Sequence, residues 1–335
     1  MTTVLFVQWV VISALIIVSL LTGFAYLTLL ERRLLARIQV RIGPNRAGPF
    51  GLLQPVADGI KLFFKEELIP TQADRLIFVV APVVTLIPAL IILAVVPLGP
   101  PIELFGQTIT LGLAPDINVG VLYLMAVSSV SVYGIVLAGW SSNNKYSLMG
   151  ALRSSAQMIS YELALGLAFI GPILIAGSMS LQDIVEGQAA RWYFVYQPIG
   201  FIVFILAAIA EVNRAPFDMP EAEQELTAGY HSEYSGMKFA LLFMAEYDKM
   251  IAVSVIAATL FLGGYGGPGV AQVPLLGPVW LAVKVVVLLF LMIWLRATLP
   301  RFRYDRLMAF GWKILLPLAL LSMALTAVGV VVWGG

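Results

Sequence analysis

The residues with the clearest chemical potential lie in one block, "EVNRAPFDMPEAEQELTAGYHSEYSGMKFALLFMAEY", residues 211–247. It sets Asp218, Glu221, Glu223, Glu225 and Glu233 against only Arg214 and Lys238. Pro216 and Pro220 keep the backbone there out of a regular helix. Carboxylates sharing a pocket titrate as a coupled set, so such a cluster can hold and pass protons. The plainer alternative is a solvated acidic loop that docks a basic partner surface. Three more acids, Glu162, Glu211 and Glu246, fall inside or at the end of long apolar stretches. Glu162 and Glu246 each lie about seven residues beyond a helix end, roughly 10 Å deep at 1.5 Å per residue. Ionisable groups at that depth are costly and commonly mark an ion path or proton relay. Lys249 is spaced to pair with Glu246 at i,i+3, so a structural ion pair is the competing use of those two residues.

These groups need a membrane framework. Of 335 residues, 60% are hydrophobic and 12% charged, where a soluble domain carries about a quarter charged residues. Apolar stretches near 4–30, 76–97, 118–139, 155–177, 198–213, 239–263, 279–299 and 309–332 predict about eight transmembrane helices, since a span takes roughly 20 residues. The expected fold is therefore an all-α polytopic membrane protein, read as a single membrane domain over residues 1–335. The first stretch has no Lys or Arg before Glu31 and is about twice a signal-peptide core, so it is expected to remain as a helix. No internal repeat is evident, which removes the support for an inverted-repeat transporter.

Charge sets the orientation. Segments 31–75, 140–153, 213–238 and 296–313 (the last containing the loop 300–308) hold 8, 2, 2 and 5 of the 20 Lys and Arg. The connections near 98–117, 178–197 and 264–278 hold only Arg191. The positive-inside rule places the charged segments on the cytoplasmic side and both termini opposite. An acidic block on that side runs against the bias, which sharpens the case for a function. After Pro55, the residues Val56, Ile60, Phe63 and Phe64 recur at helical spacing between Asp58, Lys61 and Lys65. They predict an amphipathic helix lying in the interface, either as an anchor or as a gate beside an amphipathic ligand. Gly264, Gly266 and Gly269 spell G-x-G-x-x-G, but a span precedes them and Pro268 interrupts them. A flexible turn is the reading, not a nucleotide site.

Absences exclude further chemistry. With no cysteine and one histidine, His231, the chain offers no iron–sulfur ligands, no disulfide, no thiol nucleophile and no bis-histidine haem. No metal or flavin motif is present. A net charge of +1 recruits no nucleic acid.

The block at 211–247, together with "ERRLLARIQVRIGPNRAGPFGLLQPVADGIKLFFKE" at 31–66, resembles the H-subunit family of NADH–quinone oxidoreductase. That enzyme is respiratory complex I, and the mitochondrial counterpart is NADH dehydrogenase subunit 1. The resemblance runs over essentially the whole chain. It implies a membrane subunit that forms much of the chamber for ubiquinone or menaquinone as substrate. Peripheral quinone-site subunits, one bearing the terminal iron–sulfur cluster, and small and antiporter-like membrane subunits are the implied partners. The bacterial inner membrane, or its organellar equivalent, is the implied location. Carried over by position, the chamber and its entrance involve Glu31, Arg32, the helix at 52–66, Arg214, Phe217 and Asp218. The acidic path involves Glu162, Glu211, Glu223, Glu225 and Glu246, and Glu221, Glu233 and Lys249 are counted with it as further proton-path candidates. Asp248 and Lys249 depart from the family pattern, which has uncharged residues there. The remaining alternatives are a related complex fed by another donor (ferredoxin, reduced deazaflavin or hydrogenase type), an ion-coupled secondary transporter, and a purely structural scaffold.

Overall fold

The computed structural model describes residues 3–104, 107–219 and 229–333. Helix α1, Thr3–Ile38, is followed by a turn-rich lead-in and the short α2, Gln54–Phe64. Next come α3 (Arg75–Ile91), α4 (Gly120–Ser141) and α5 (Lys145–Ala176), then the small α6 (Leu181–Gly187) and α7 (Tyr193–Tyr196). The chain continues through α8 (Pro198–Glu211), α9 (Gly236–Phe261), α10 (Leu276–Thr298), α11 (Tyr304–Phe310) and α12 (Leu316–Trp333). A π-helical turn at Gly311–Leu315 joins the last two. The expected all-α membrane fold stands, with one addition. The connection after α3 carries a hairpin of β1 (Ile102–Leu104) and β2 (Gln107–Ile109), antiparallel with Glu103 opposite Thr108.

Local chemistry sets the helix limits. Asn144 caps α5 by accepting from the Tyr146 amide at 2.9 Å, and Gly177 ends it in the left-handed region at φ +66°. Asp74 caps α3 at the Ile77 amide. Pro198 starts α8, and Asn213 at φ +58° turns the chain out of it. The close approach of α3 and α4 depends on Gly134, where a Cβ would collide with Thr85 Oγ1 and lie 2.7 Å from the Thr85 amide. Small residues at such crossings are how membrane helices pack without a hydrophobic drive between them.

Among the described residues, six helices are long and apolar enough to cross a membrane, against the eight stretches expected from hydropathy: Phe6–Ile38, Arg75–Val95, Gly120–Ser141, Lys145–Ala176, Leu276–Thr298 and Tyr304–Val332. The other two expected stretches are helical but differ for physical reasons. Helix α8 has only 14 residues, about 21 Å at 1.5 Å per residue. Helix α9 has the length but carries Lys238, Glu246, Asp248 and Lys249. Its position explains how it tolerates them. It packs on α1, α3, α8 and α10, and residues 252–261 are all buried. By contrast α1 turns Phe6, Val7, Val10, Leu15 and Val18 outward, as a lipid-facing helix does.

Candidate functional site

At the base of α1, Glu31 is only 2% exposed. Its carboxylate accepts from Arg214 Nη1 at 3.2 and 3.4 Å, from the Tyr247 hydroxyl at 2.6 Å, and from Arg296 Nη1. Arg214 in turn pairs through Nε with Glu246 Oε1 at 2.5 Å, and its guanidinium lies 4.1 Å from the Tyr247 ring centre. Residues from α1, the 213–219 segment, α9 and α10 thus close one buried network. The two carboxylates are matched by two guanidinium groups, which is how charge can be buried at all.

The network corrects one expectation. Glu246 is bound by Arg214 rather than by Lys249, although the i,i+3 spacing invited the latter pair. Among the described residues Lys249 has no direct hydrogen-bond or ion-pair partner; it is half-buried on the wall of a cavity of about 30 Å³. Glu211, buried at the end of α8, lines the same cavity, with Ser128 and Ser131 of α4. Glu211, Glu246 and Glu162 are all near enough to interact electrostatically with Lys249. The cavity has room for about one water molecule, and its wall is mostly apolar, with Glu211, Lys249, Ser128 and Ser131 as its polar members. Glu162 on α5 accepts from Ser129 of α4. The three intramembrane acids and Lys249 therefore form one neighbourhood.

The other predicted site residues are more dispersed. Arg32 bonds Asp58 of α2 at 2.7 Å, so it fixes the amphipathic helix to α1. Val56, Ile60 and Phe63 stand exposed on α2, as on a helix whose apolar face meets an interface. Phe217 is 3% exposed and packs against Phe302, Phe310 and Tyr161, with ring centres 5.7, 6.2 and 5.8 Å away. Its carbonyl and that of Ala210 each accept from Gln157 Nε2 at 2.7 Å. Asp218 is half-buried beside it. Glu233 accepts from Asn144 at 2.6 Å and so ties two loops together at the surface. Nearby, Tyr234 stacks on Phe78 at 4.1 Å, and burial pushes its phenol up to about 12. Glu221, Glu223 and Glu225 lie outside the described residues.

Tyr247 and Arg296 belong to the network but were not singled out from sequence. Tyr247 directly follows Glu246, and Arg296 counted only as an orientation charge. The glycine run also differs from expectation. The turn is pinned rather than loose: Lys284 donates to the carbonyls of Gly264 and Gly266, each at 2.7 Å, and Gln188 accepts from the Gly263 amide.

Comparison with known proteins places the chain in a family. A sequence model of the NADH dehydrogenase family matches residues 11–327. The H subunit of NADH-quinone oxidoreductase from Thermomicrobium roseum is 55% identical, covering 95% of this chain and 97% of its own length. The corresponding H subunit from Protochlamydia amoebophila is 53% identical, covering 91% and 92%. NADH-quinone oxidoreductase subunit 8 of Thermus thermophilus is also 53% identical, covering 94% and 85%. With likeness of that depth along nearly its whole length, the chain belongs to the NADH dehydrogenase family, alongside the H subunits of NADH-quinone oxidoreductase.

Proposed function

We propose that this chain is the membrane subunit of a proton-pumping NADH–quinone oxidoreductase, where it forms much of the quinone chamber and couples quinone reduction to proton movement. The observation that carries the reading is that Glu246, held by Arg214 in the network of Glu31, Tyr247 and Arg296, is also near enough to interact electrostatically with Lys249 on the cavity wall. A quinone head group needs polar donors beside apolar walls. Arg32 and Arg214 would supply the donors, Glu31 and Asp218 the carboxylates beside them and Phe217 an apolar wall, with Val56, Ile60 and Phe63 guiding the tail from the bilayer.

Electrons arrive from a cluster on a peripheral partner, because this chain has no cysteine to hold one. Reduction of the quinone draws in protons and changes the charge felt by groups nearby. Arg214 touches both Glu31 and Glu246, so a charge change at the chamber is felt at the mouth of the acidic path. Glu246, Glu211 and Glu162, joined by Glu221, Glu223, Glu225 and Glu233 from the loop, would then shift protons as a coupled set toward the antiporter-like subunits. In this assignment the chain acts as one membrane domain in a bacterial inner membrane or its organellar equivalent, both termini on the non-cytoplasmic side.

The test is Glu211→Gln in the assembled enzyme in sealed vesicles. The exchange keeps side-chain size and removes the titrating charge. Donor oxidation with an artificial acceptor should be unchanged, while quinone turnover and proton uptake fall by about a hundredfold, the scale of a lost proton-transfer group. Full quinone turnover with full pumping would leave the acidic residues as a docking or structural feature.

A further inference from the structure

We propose that the cytoplasmic end of α1 carries a binding site for an anionic phospholipid, with the phosphate held among Arg33, Arg37 and Arg41 and the acyl chains lying along Tyr26, Leu30 and Leu52. The site adjoins the proposed chamber entrance at Leu52 and does not rest on that assignment.

Positions 26, 29, 30, 33, 34 and 37 of α1 follow one helical stripe. Along that stripe Tyr26, Leu29, Leu30 and Leu34 give way to Arg33 and Arg37, over about 16 Å from Tyr26 to Arg37 at 1.5 Å per residue. Two grooves follow it. The first, of about 340 Å³, is lined by the apolar residues with Leu52 and by Arg33 and Arg37. The second, of about 440 Å³, continues from the same two arginines to Arg41, Pro44, Asn45 and Phe50. The surface is thus apolar at one end and cationic at the other, with shared arginines at the junction.

The neighbouring charges on α1 are already committed and face elsewhere. Glu31 points into the buried network and Arg32 pairs with Asp58. Arg33, Arg37 and Arg41, in contrast, make no ion pair with an acid among the described residues. Like charges at i,i+4, as Arg33 and Arg37 are, repel one another until an anion lies between them. The wall of the second groove is a built structure. The Arg41 amide bonds the Ala36 carbonyl at 2.8 Å, its Nε bonds Gln39 Oε1 at 2.7 Å, and Gly51, at φ +73°, presses its backbone against the Pro44 carbonyl.

The occupant must match both ends. A free phosphate would meet the arginines and leave the leucine stripe bare. A soluble protein segment could cover Phe50 and Arg41 but would not reach down a membrane-spanning helix to Tyr26. An anionic phospholipid has the head charge and the tails, and the leaflet on the positively charged side of a membrane protein is the anionic one.

The test uses the assembled complex in lipid nanodiscs with a photoactivatable phosphatidylglycerol analogue, the sites of labelling being mapped by mass spectrometry. Labelling should fall within residues 26–52 and be absent with the matching phosphatidylcholine analogue. Each of Arg37→Gln and Arg41→Gln should weaken binding about fivefold, the contribution of one basic residue near an anionic surface. Arg37→Lys and Arg41→Lys should retain labelling, which separates lost charge from a misfolded loop, and soluble glycerol phosphate in excess should not compete. Equal labelling by the choline analogue, unchanged labelling in the Gln variants, or loss in the Lys variants as well would overturn the proposal. Displacement by glycerol phosphate would overturn it too, by assigning the site to a free anion. Loss of partner subunits from the Gln variants in every lipid would overturn it by assigning the patch to a protein contact.

Discussion

Replacing Arg214 by Met removes the cation that holds Glu31 and Glu246 in one buried pocket. Arg214 Nη1 lies 3.2 Å from Glu31 and Nε lies 2.5 Å from Glu246. Two unit charges about 4 Å apart interact by about 4 kcal/mol at an effective dielectric of 20. Removing one member of a buried pair costs about 3–5 kcal/mol, since the remaining charge is left in a poor solvent. The loss should not be shared equally. Glu31 keeps the Tyr247 hydroxyl at 2.6 Å and the Arg296 guanidinium, whereas the strong contact of Glu246 is to Arg214.

A second substitution tells the two carboxylates apart. Arg214→Met with Glu246→Gln should recover about 1–3 kcal/mol relative to the sum of the single effects, the range for residues in direct contact. Arg214→Met with Glu31→Gln should recover less, because that change also strands Arg296. The assay is the thermal midpoint of the assembled complex, together with its amount in membranes. Arg214→Lys should restore only part, since an ammonium cannot present the forked donors that reach both acids. Additive effects for Arg214 and Glu246 would refute the network as drawn.

Two further substitutions test the packing that supports the site. Asp248 is fully buried, and neither of its carboxylate oxygens has a hydrogen-bond partner among the described residues. Asp248→Ala should therefore raise the thermal midpoint, since an unmet buried polar group costs about 1–3 kcal/mol and the lost packing is worth about 1 kcal/mol; a lower midpoint would mean that the carboxyl has a partner in the assembly. Gly134→Ala places a methyl group 2.7 Å from the Thr85 backbone amide, so α3 and α4 must separate and the yield of assembled complex should drop; a normal yield would show that this crossing can relax.

What the sequence made legible was local. The period of Val56, Ile60 and Phe63 marked α2, and the apolar stretches marked the long helices. Depth along a helix is also local, and it set Glu162 and Glu246 inside apolar stretches; that these two and Glu211 gather around Lys249 is seen only in the fold. Partnership across the fold was not legible. The i,i+3 spacing of Glu246 and Lys249 is visible in the sequence itself, while Arg296 lies 265 positions from Glu31 and nothing in their spacing joins them. The apolar stretch at 239–263 is the helix α9, and how it tolerates its charges is likewise a matter of the fold. A helix ringed by other helices can carry charges that a lipid-facing helix of equal length cannot, and composition alone does not distinguish the two.

That difference explains where the charges sit. Among the described residues, Glu31 and Glu246 are held in direct contact by Arg214 and Arg296. Glu211 and Lys249 balance in sign, yet no direct bond between them closes, and they face a cavity instead. A group held by fixed partners has little freedom to change its charge, because each partner would lose by it. One whose counter-charge lies across a small cavity can exchange a proton without breaking a bond to protein. The network is therefore the rigid part of the site, and the cavity of Glu211 and Lys249 is where a proton could move. By this reasoning substitutions in the network should be read mainly in assembly and those at the cavity mainly in turnover.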